Sequence, residues 1–228
     1  MGVMDTIRAR HSVREYDGRA PEGAALATLQ AVIEECARES GLNIQLLLDN
    51  PETFQVVVRF GFIHNCPANI AFVTQSADAG HDDEKIGYWG QKIVLAAQEA
   101  GLNTCWVALC SRRKNKAKRI SGEKVRLVIA VGYGMTQGTA RESKSVEELV
   151  TVECAEVPVW FPIAMEAAQL APTAMNNQNF HVTLLADGET VAIEAPNGGW
   201  NKVDLGIVKR NFEEAANDLG ANWHWREA

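Results

Sequence analysis

No segment of this 228-residue chain approaches the run of about eighteen apolar residues that a membrane-crossing helix needs. Its opening, MGVMDTIRAR, has no apolar signal-peptide core, so a cytoplasmic protein without a membrane partner is expected. Paired cysteines are also lacking. Cys36, Cys66, Cys105, Cys110 and Cys154 form an odd set with no CxxC spacing, which points to reduced, buried thiols rather than a disulfide frame or a zinc site. His64 and Cys66, in HNC, are too few ligands for a metal. Nor is there an excess of positive charge: the formal net charge is −7, which argues against a general nucleic-acid binder and makes any basic site a local one. VGYG (131–134) carries two glycines but not GxGxxG, so a dinucleotide-binding Rossmann unit is poorly supported. No Ser-His-Asp set or carboxylate pair stands out as catalytic machinery.

What is present is an ordinary globular composition. With 46% hydrophobic and 22% charged residues, the chain can bury one sizeable core or two small ones packed together. Pro21 starts a segment in which Leu26, Leu29, Ile33 and Cys36 recur at helical spacing, with Gly41 as the stop. Apolar runs at 44–48, 54–60 and 69–74 read as strands, a helix is expected over 82–100, and strands over 104–110 and 126–134. The basic run RRKNKAKRI (112–120) reads as the solvated face of a short connecting helix. A polar loop follows residue 134. The remainder reads as a helix near 163–170, a turn at Pro172, strands near 180–186 and 190–195, and a helix near 204–219.

Sliding the chain by 119 positions sets KIGYWGQKIVLAAQEAGLNTCW against DLGIVKRNFEEAANDLGANWHW, so that Gly87 meets Gly206, Gly101 meets Gly220 and Trp106 meets Trp225. Each copy orders a helix with small residues, a glycine stop and a strand with a tryptophan. Two unrelated glycine-terminated helices would also match in part. A structural duplication is the favoured reading, with related halves 1–150 and 151–228 packed as one unit. Gly90, Ala96 and Ala97 against Ala215 and Ala216 would let the two helices approach closely.

Four clusters could carry chemistry. Arg8, Arg10 and Arg14, with His11 and Ser12 between them, gather guanidinium forks that match phosphate oxygens, although a solvated surface reads equally well. LAPTAMNNQNFHV (170–182) concentrates amides, which suit a planar heterocycle with alternating C=O and N–H groups, or simply a polar turn. GLNTCW (101–106) is a glycine-terminated helix passing into a strand. Arg141 and Lys144 lie in a glycine-rich loop after a strand. Tyr88, Trp89 and Phe180 suit a pocket wall or the core equally.

Taken together, these clusters resemble the nitroreductase family of FMN-dependent oxidoreductases. Arg10-His11-Ser12-Val13-Arg14 is similar to the family's RRSxR signature, with His11 where an arginine is common. Ala171, Pro172, Thr173, Asn176 and Gln178 resemble APSxxNxQPW, with Asn179-Phe180 where Pro-Trp is usual. GLNTCW resembles GLGTCW, and Arg141 and Lys144 resemble the basic residues after the family's glycine-rich segment. The Asn/Gln signature lies late in the chain, which is similar to the branch whose two halves in one chain imitate the usual homodimer.

The resemblance implies an α+β fold with helices covering a mixed, mainly antiparallel sheet, two halves forming a pseudo-dimer, and FMN at their interface. Arg10, His11, Ser12 and Arg14 would hold the ribityl phosphate with help from Arg141. Pro172, Thr173, Ala174, Asn176 and Gln178 would border the isoalloxazine ring, and Thr104 and Cys105 would join the cofactor site. NAD(P)H would reduce the flavin, and a nitroaromatic, a quinone or a similar small acceptor would reoxidise it. No catalytic side chain and no metal are implied. The molecule would be a monomer with an internal pseudo-dimer or a homodimer. The alternatives are a flavin store or sensor without turnover, and a scaffold that has lost the ligand.

Overall fold

The structure, a computed structural model, describes residues 2–58, 62–75 and 80–226. In chain order the elements are α1 (Val3–Ala9), α2 (Gly23–Ser40), β1 (Asn43–Leu47), a 3-10 turn (Pro51–Phe54), α3 (Gln55–Val58), β2 (Ala68–Gln75), α4 (Asp83–Glu99), β3 (Asn103–Val107) and β4 (Glu123–Gly132). There follow α5 (Val146–Leu149), β5 (Val150–Val152), α6 (Trp160–Gln169), a 3-10 turn (Ala174–Asn176), β6 (His181–Leu184), β7 (Thr190–Glu194), α7 (Asn201–Asp218) and β8 (His224–Trp225). They assemble into two units, each drawn from separate segments: Ala9–Asp82 with Lys92–Ala140, and Met1–Arg8 with Asp83–Gln91 and Arg141–Ala228. The units interleave along the chain.

The first of these units is built on an antiparallel sheet of order β1-β2-β4-β3. β2 is buried at every position except its last, as expected of a central strand with both faces covered. Helix α2 buries Leu29, Val32, Ile33 and Cys36, while Leu26, expected on the same stripe, is half-buried. Gly41 ends it in the left-handed region, φ 71°, where a side chain would be strained, and its N–H bonds the Ala37 carbonyl. Four of the five cysteines are buried, and Cys154 is half-buried.

Two expectations fail here for local reasons. Phe54–Val58, expected as strand, is helical, while Arg59 and Phe60 lie outside the described residues. Pro51 occupies the start of the 3-10 turn, where its fixed φ suits a helix and its missing N–H costs nothing. Residues 112–120 form a turn and an irregular segment instead of a helix. Buried Asn115 explains this: its amide donates to Thr53 Oγ1 (2.9 Å) and Asn69 Oδ1 (3.0 Å) and accepts from the Ala117 N–H (2.9 Å), so the side chain replaces helical backbone bonds. The strand expected over 104–110 also stops at Val107.

The second unit holds a mixed sheet, order β5-β6-β7-β8, with β5–β6 and β7–β8 parallel and β6–β7 antiparallel. β5 and α5 were not anticipated, although Ser145 and Glu148 stand at capping-box spacing and the Glu148 carboxylate accepts the Ser145 N–H at 2.8 Å. Trp160, Phe161, Phe212, Trp223 and Trp225 form an aromatic cluster with centroids 4.8–6.0 Å apart. Phe180 is buried, and Tyr88 carries the Arg210 guanidinium 3.7 Å above its ring.

Within this unit the N-terminal part of α4 crosses α7 at backbone distance. A methyl group at Gly87 would lie 2.0 Å from the Val203 carbonyl oxygen, and one at Gly206 would lie 2.0 Å from the Glu84 carbonyl oxygen. The contact is reciprocal: each glycine faces the carbonyl three residues before the other and the amide one residue after it. The close approach thus lies at these two glycines. The ends of the two helices also agree, since Gly101 N–H bonds Gln98 and Leu102 N–H bonds Ala97, as Gly220 bonds Asn217 and Ala221 bonds Ala216.

Replacing either Gly87 or Gly206 by alanine is expected to destabilise the protein by about 3 kcal/mol or more, because two helix backbones must separate to admit the methyl group. Chemical denaturation reads this directly, and an unchanged unfolding midpoint in both variants would contradict the close crossing.

Candidate functional site

The arginine cluster divides. Arg8 forms a bidentate pair with Glu166, 2.7 and 2.8 Å, which raises the arginine pKa and lowers that of the carboxyl. It therefore does not join a phosphate grip. Arg10, His11, Ser12 and Arg14 belong to the unit with β3, and there the chain runs beside that edge strand: Ser12 bridges Thr104 in parallel, and Val13 N–H bonds the Thr104 carbonyl at 3.0 Å. Val13 is 2% exposed and pulls the alternate positions to the outside by strand geometry.

The two arginines in this stretch differ. Arg10 is buried, at 5% exposure, whereas Arg14 is exposed and donates to the Ser12 carbonyl at 3.2 Å. Burial pushes the Cys105 thiol up, while the charges of Arg14 and Arg10 and a hydrogen bond with the Ser12 side chain pull it back. Arg10, Ser12 and Arg14 supply two permanent cations and a hydroxyl along the edge of β3, a donor set that fits a phosphate dianion. His11 is half-buried under the loop after β4. A methyl at Gly138, whose φ is 82°, would lie 2.6 Å from His11 Cβ. Asn103 holds this loop by accepting the Gly134 N–H at 3.0 Å and donating to Gln137 Oε1 at 3.1 Å.

Arg141, Pro172, Thr173, Ala174, Asn176 and Gln178 come together in the other unit, where the segment after Ala140 is laced to the turn after α6. Arg141 donates to the Leu170 and Ala171 carbonyls, at 3.3 and 2.5 Å, so its guanidinium serves the end of α6. Gln178 is 1% exposed; its Oε1 accepts the Lys144 N–H at 2.7 Å and its Nε2 donates to the Gln169 carbonyl at 3.0 Å. Lys144 Nζ adds a bond to the Gln178 carbonyl at 3.1 Å. The Gln178 amide is thus committed within the protein.

The turn itself is strained. Met175, Asn176 and Gln178 all have positive φ, at 53°, 57° and 46°, in a stretch without glycine. Thr173 Oγ1 accepts the Gln178 N–H at 3.1 Å, and Asn176 Nδ2 donates to the Glu142 carbonyl at 2.7 Å. Asn176 Oδ1, buried, has no hydrogen-bond partner. It is the acceptor in this turn that could receive an N–H from a planar heterocycle, so the residues fit a flavin ring through Asn176 and not through Gln178. Met175 lies at the tip, 88% exposed.

Asp204 was missed. It stands in the first turn of α7, 5% exposed, with both carboxylate oxygens 3.0 Å from the Ala174 N–H. Burial raises its pKa to about 6, against the Ala174 bond and the Arg141 charge, which lower it. A signal was available: Val203, Gly206, Ile207 and Val208 are buried around it, so the acid interrupts an apolar face. Among the described residues no group of three or more His, Cys, Asp or Glu could hold a metal, and no helix is long and apolar enough to cross a membrane.

A family profile described as "Putative TM nitroreductase" matches residues 2–216. A crystal structure of a "putative nitroreductase" from Thermotoga maritima is similar over 96% of this chain and 85% of its own, with 20% sequence identity and a TM-score of 0.66. This likeness establishes a nitroreductase-like α+β fold. A "Putative NADH dehydrogenase/NAD(P)H nitroreductase" from Parabacteroides distasonis covers 64% of this chain and 95% of its own, at 18% identity and TM-score 0.49. An "FMN-dependent Nitroreductase" from Clostridium difficile covers 63% and 92%, at 17% identity and TM-score 0.46. No curated protein matches the sequence significantly.

Gln178→Leu keeps the volume of the side chain but strands the Lys144 N–H and the Gln169 carbonyl. A loss of about 2 kcal/mol in unfolding free energy is expected. An unaltered denaturation curve for that variant would show that the lacing carries no stability.

Proposed function

The chain belongs to the family described as "Putative TM nitroreductase", and from that we propose that it is an FMN-dependent oxidoreductase carrying hydride from NAD(P)H to a small acceptor, a nitroaromatic or a quinone. The observation that carries the reading is the buried Arg10 beside Ser12, Arg14 and Thr104. A guanidinium keeps its proton on burial and presents a fixed fork of N–H donors, which matches phosphate oxygens. FMN, when bound, supplies the hydride chemistry, and the protein supplies orientation and electrostatics.

In this proposal Arg10 and Ser12 hold the ribityl phosphate, Arg14 adds a second charge from a more exposed position, and His11 and Thr104 flank them. Asn176 accepts an N–H of the ring. Pro172 and Thr173, both buried, shape the turn, and Arg141 and Gln178 support it from within. No side chain is needed as acid or base, in keeping with a reaction whose transferred group is hydride. The 119-residue repeat is proposed as a duplication that imitates a dimer in one cytoplasmic chain, on the support of the reciprocal glycine contact and the matching helix ends.

An anaerobic absorbance spectrum before and after NADPH tests the proposal. A yellow protein that NADPH bleaches and a quinone restores is expected. A yellow protein that stays oxidised is a flavin store or sensor, and a colourless one that cannot be reconstituted is a scaffold. Arg10→Ala should weaken FMN binding by about 2 kcal/mol and exposed Arg14→Ala by less, about 1 kcal/mol at most. Equal flavin content in wild type and Arg10→Ala, measured after dialysis, would remove Arg10 from the site.

A further inference from the structure

Asp204 is a buried ionisable group that the proposed chemistry does not use. Its two carboxylate oxygens face one donor, the Ala174 N–H, at 3.0 Å each. Asparagine in the same rotamer would aim an NH2 group at that N–H, so the geometry requires a group with two acceptors. The opposing charge bearing on it is Arg141, which is itself engaged with the Leu170 and Ala171 carbonyls. An ionised carboxylate kept this dry lowers stability unless it secures something else.

What it secures is the strained turn. Left-handed backbone at Met175, Asn176 and Gln178 costs roughly 1 kcal/mol or more per residue and persists only where the surroundings over-determine it. Ala174 opens that turn, and the bond to Asp204 anchors its first N–H from below, while Glu142 and Lys144 hold it from the side. The product is Asn176 Oδ1, a buried acceptor left without a partner. Such an atom is costly to bury and is spared that cost when a ligand donates to it.

We propose that Asp204 is a positioning residue: through the Ala174 N–H it fixes the 173–178 turn so that Asn176 Oδ1 is aimed at a ligand N–H. Under the function proposed above, on which this identification of the ligand rests, that N–H is the imide N3–H of the flavin ring.

The test compares FMN with 3-methyl-FMN, whose ring has no imide N–H, by fluorescence titration against wild type and Asp204→Asn. Binding of FMN to Asp204→Asn is expected to be roughly tenfold weaker, the loss of one well-aimed hydrogen bond, with 3-methyl-FMN bound equally by both proteins. Equal FMN affinity, or an equal loss with both flavins, overturns the proposal. Amide hydrogen exchange in the ligand-free proteins separates this from the flavin reading. If wild type binds neither flavin, the flavin reading fails, and faster exchange confined to residues 173–178 in Asp204→Asn still supports the positioning role. Unchanged exchange there overturns it. Should Asp204→Asn not fold, Ala174→Pro removes the same N–H. Thr173 before it is extended, at φ −114° and ψ 156°, as a residue preceding proline must be. It should give the same pattern.

Discussion

The crossing of α4 and α7 at Gly87 and Gly206 is the constraint from which the candidate site in its unit follows. Two helices in backbone contact have little freedom to slide, because each glycine sits against the other helix's carbonyl and amide groups. Asp204 lies two residues before Gly206, so its position is fixed by the crossing rather than by its own side-chain packing. Further along, buried Asn211 accepts from Gln91 Nε2 at 2.9 Å and donates to the Ala167 carbonyl at 2.9 Å, which ties α4, α7 and α6 together. The turn that leaves α6 then meets Asp204 at Ala174. A chain of short contacts thus runs from two missing side chains to the direction of one amide oxygen.

The other unit reaches a comparable result by different means. Its antiparallel sheet ends at β3, whose outer edge is covered by residues 12–13. Capping an edge strand in this way satisfies the Thr104 carbonyl and seats the arginines beside Cys105. One guanidinium is buried and the other is not.

Much of the fold was legible because periodicity and glycine stops report local geometry. The stripe of α2, the central strands and the extents of α4 and α7 follow from spacing alone, and the 119-residue offset already paired Gly87 with Gly206. Failures came where a polar side chain took over a backbone role. Asn115 unmade a helix, Pro51 converted a β-branched run into a helical turn, and Ser145 with Glu148 started a helix inside what reads as a polar loop. At the candidate site, residue type did not report which polar atoms the protein itself would use. Gln178 reads as ligand-facing, yet its side-chain amide bonds Lys144 and Gln169, and Arg141 Nη2 donates to the Leu170 and Ala171 carbonyls.

By itself the sequence determined most of the element types and the family signatures, because these depend on spacing and on chemistry that a side chain carries wherever it lies. Which acceptor is left vacant, which arginine is buried and which acid holds the turn were decided only by the tertiary structure. Each of those is a matter of whether a partner lies within about 3 Å, and partners such as Asp204 and Ala174, thirty positions apart in the chain, are brought together only by folding.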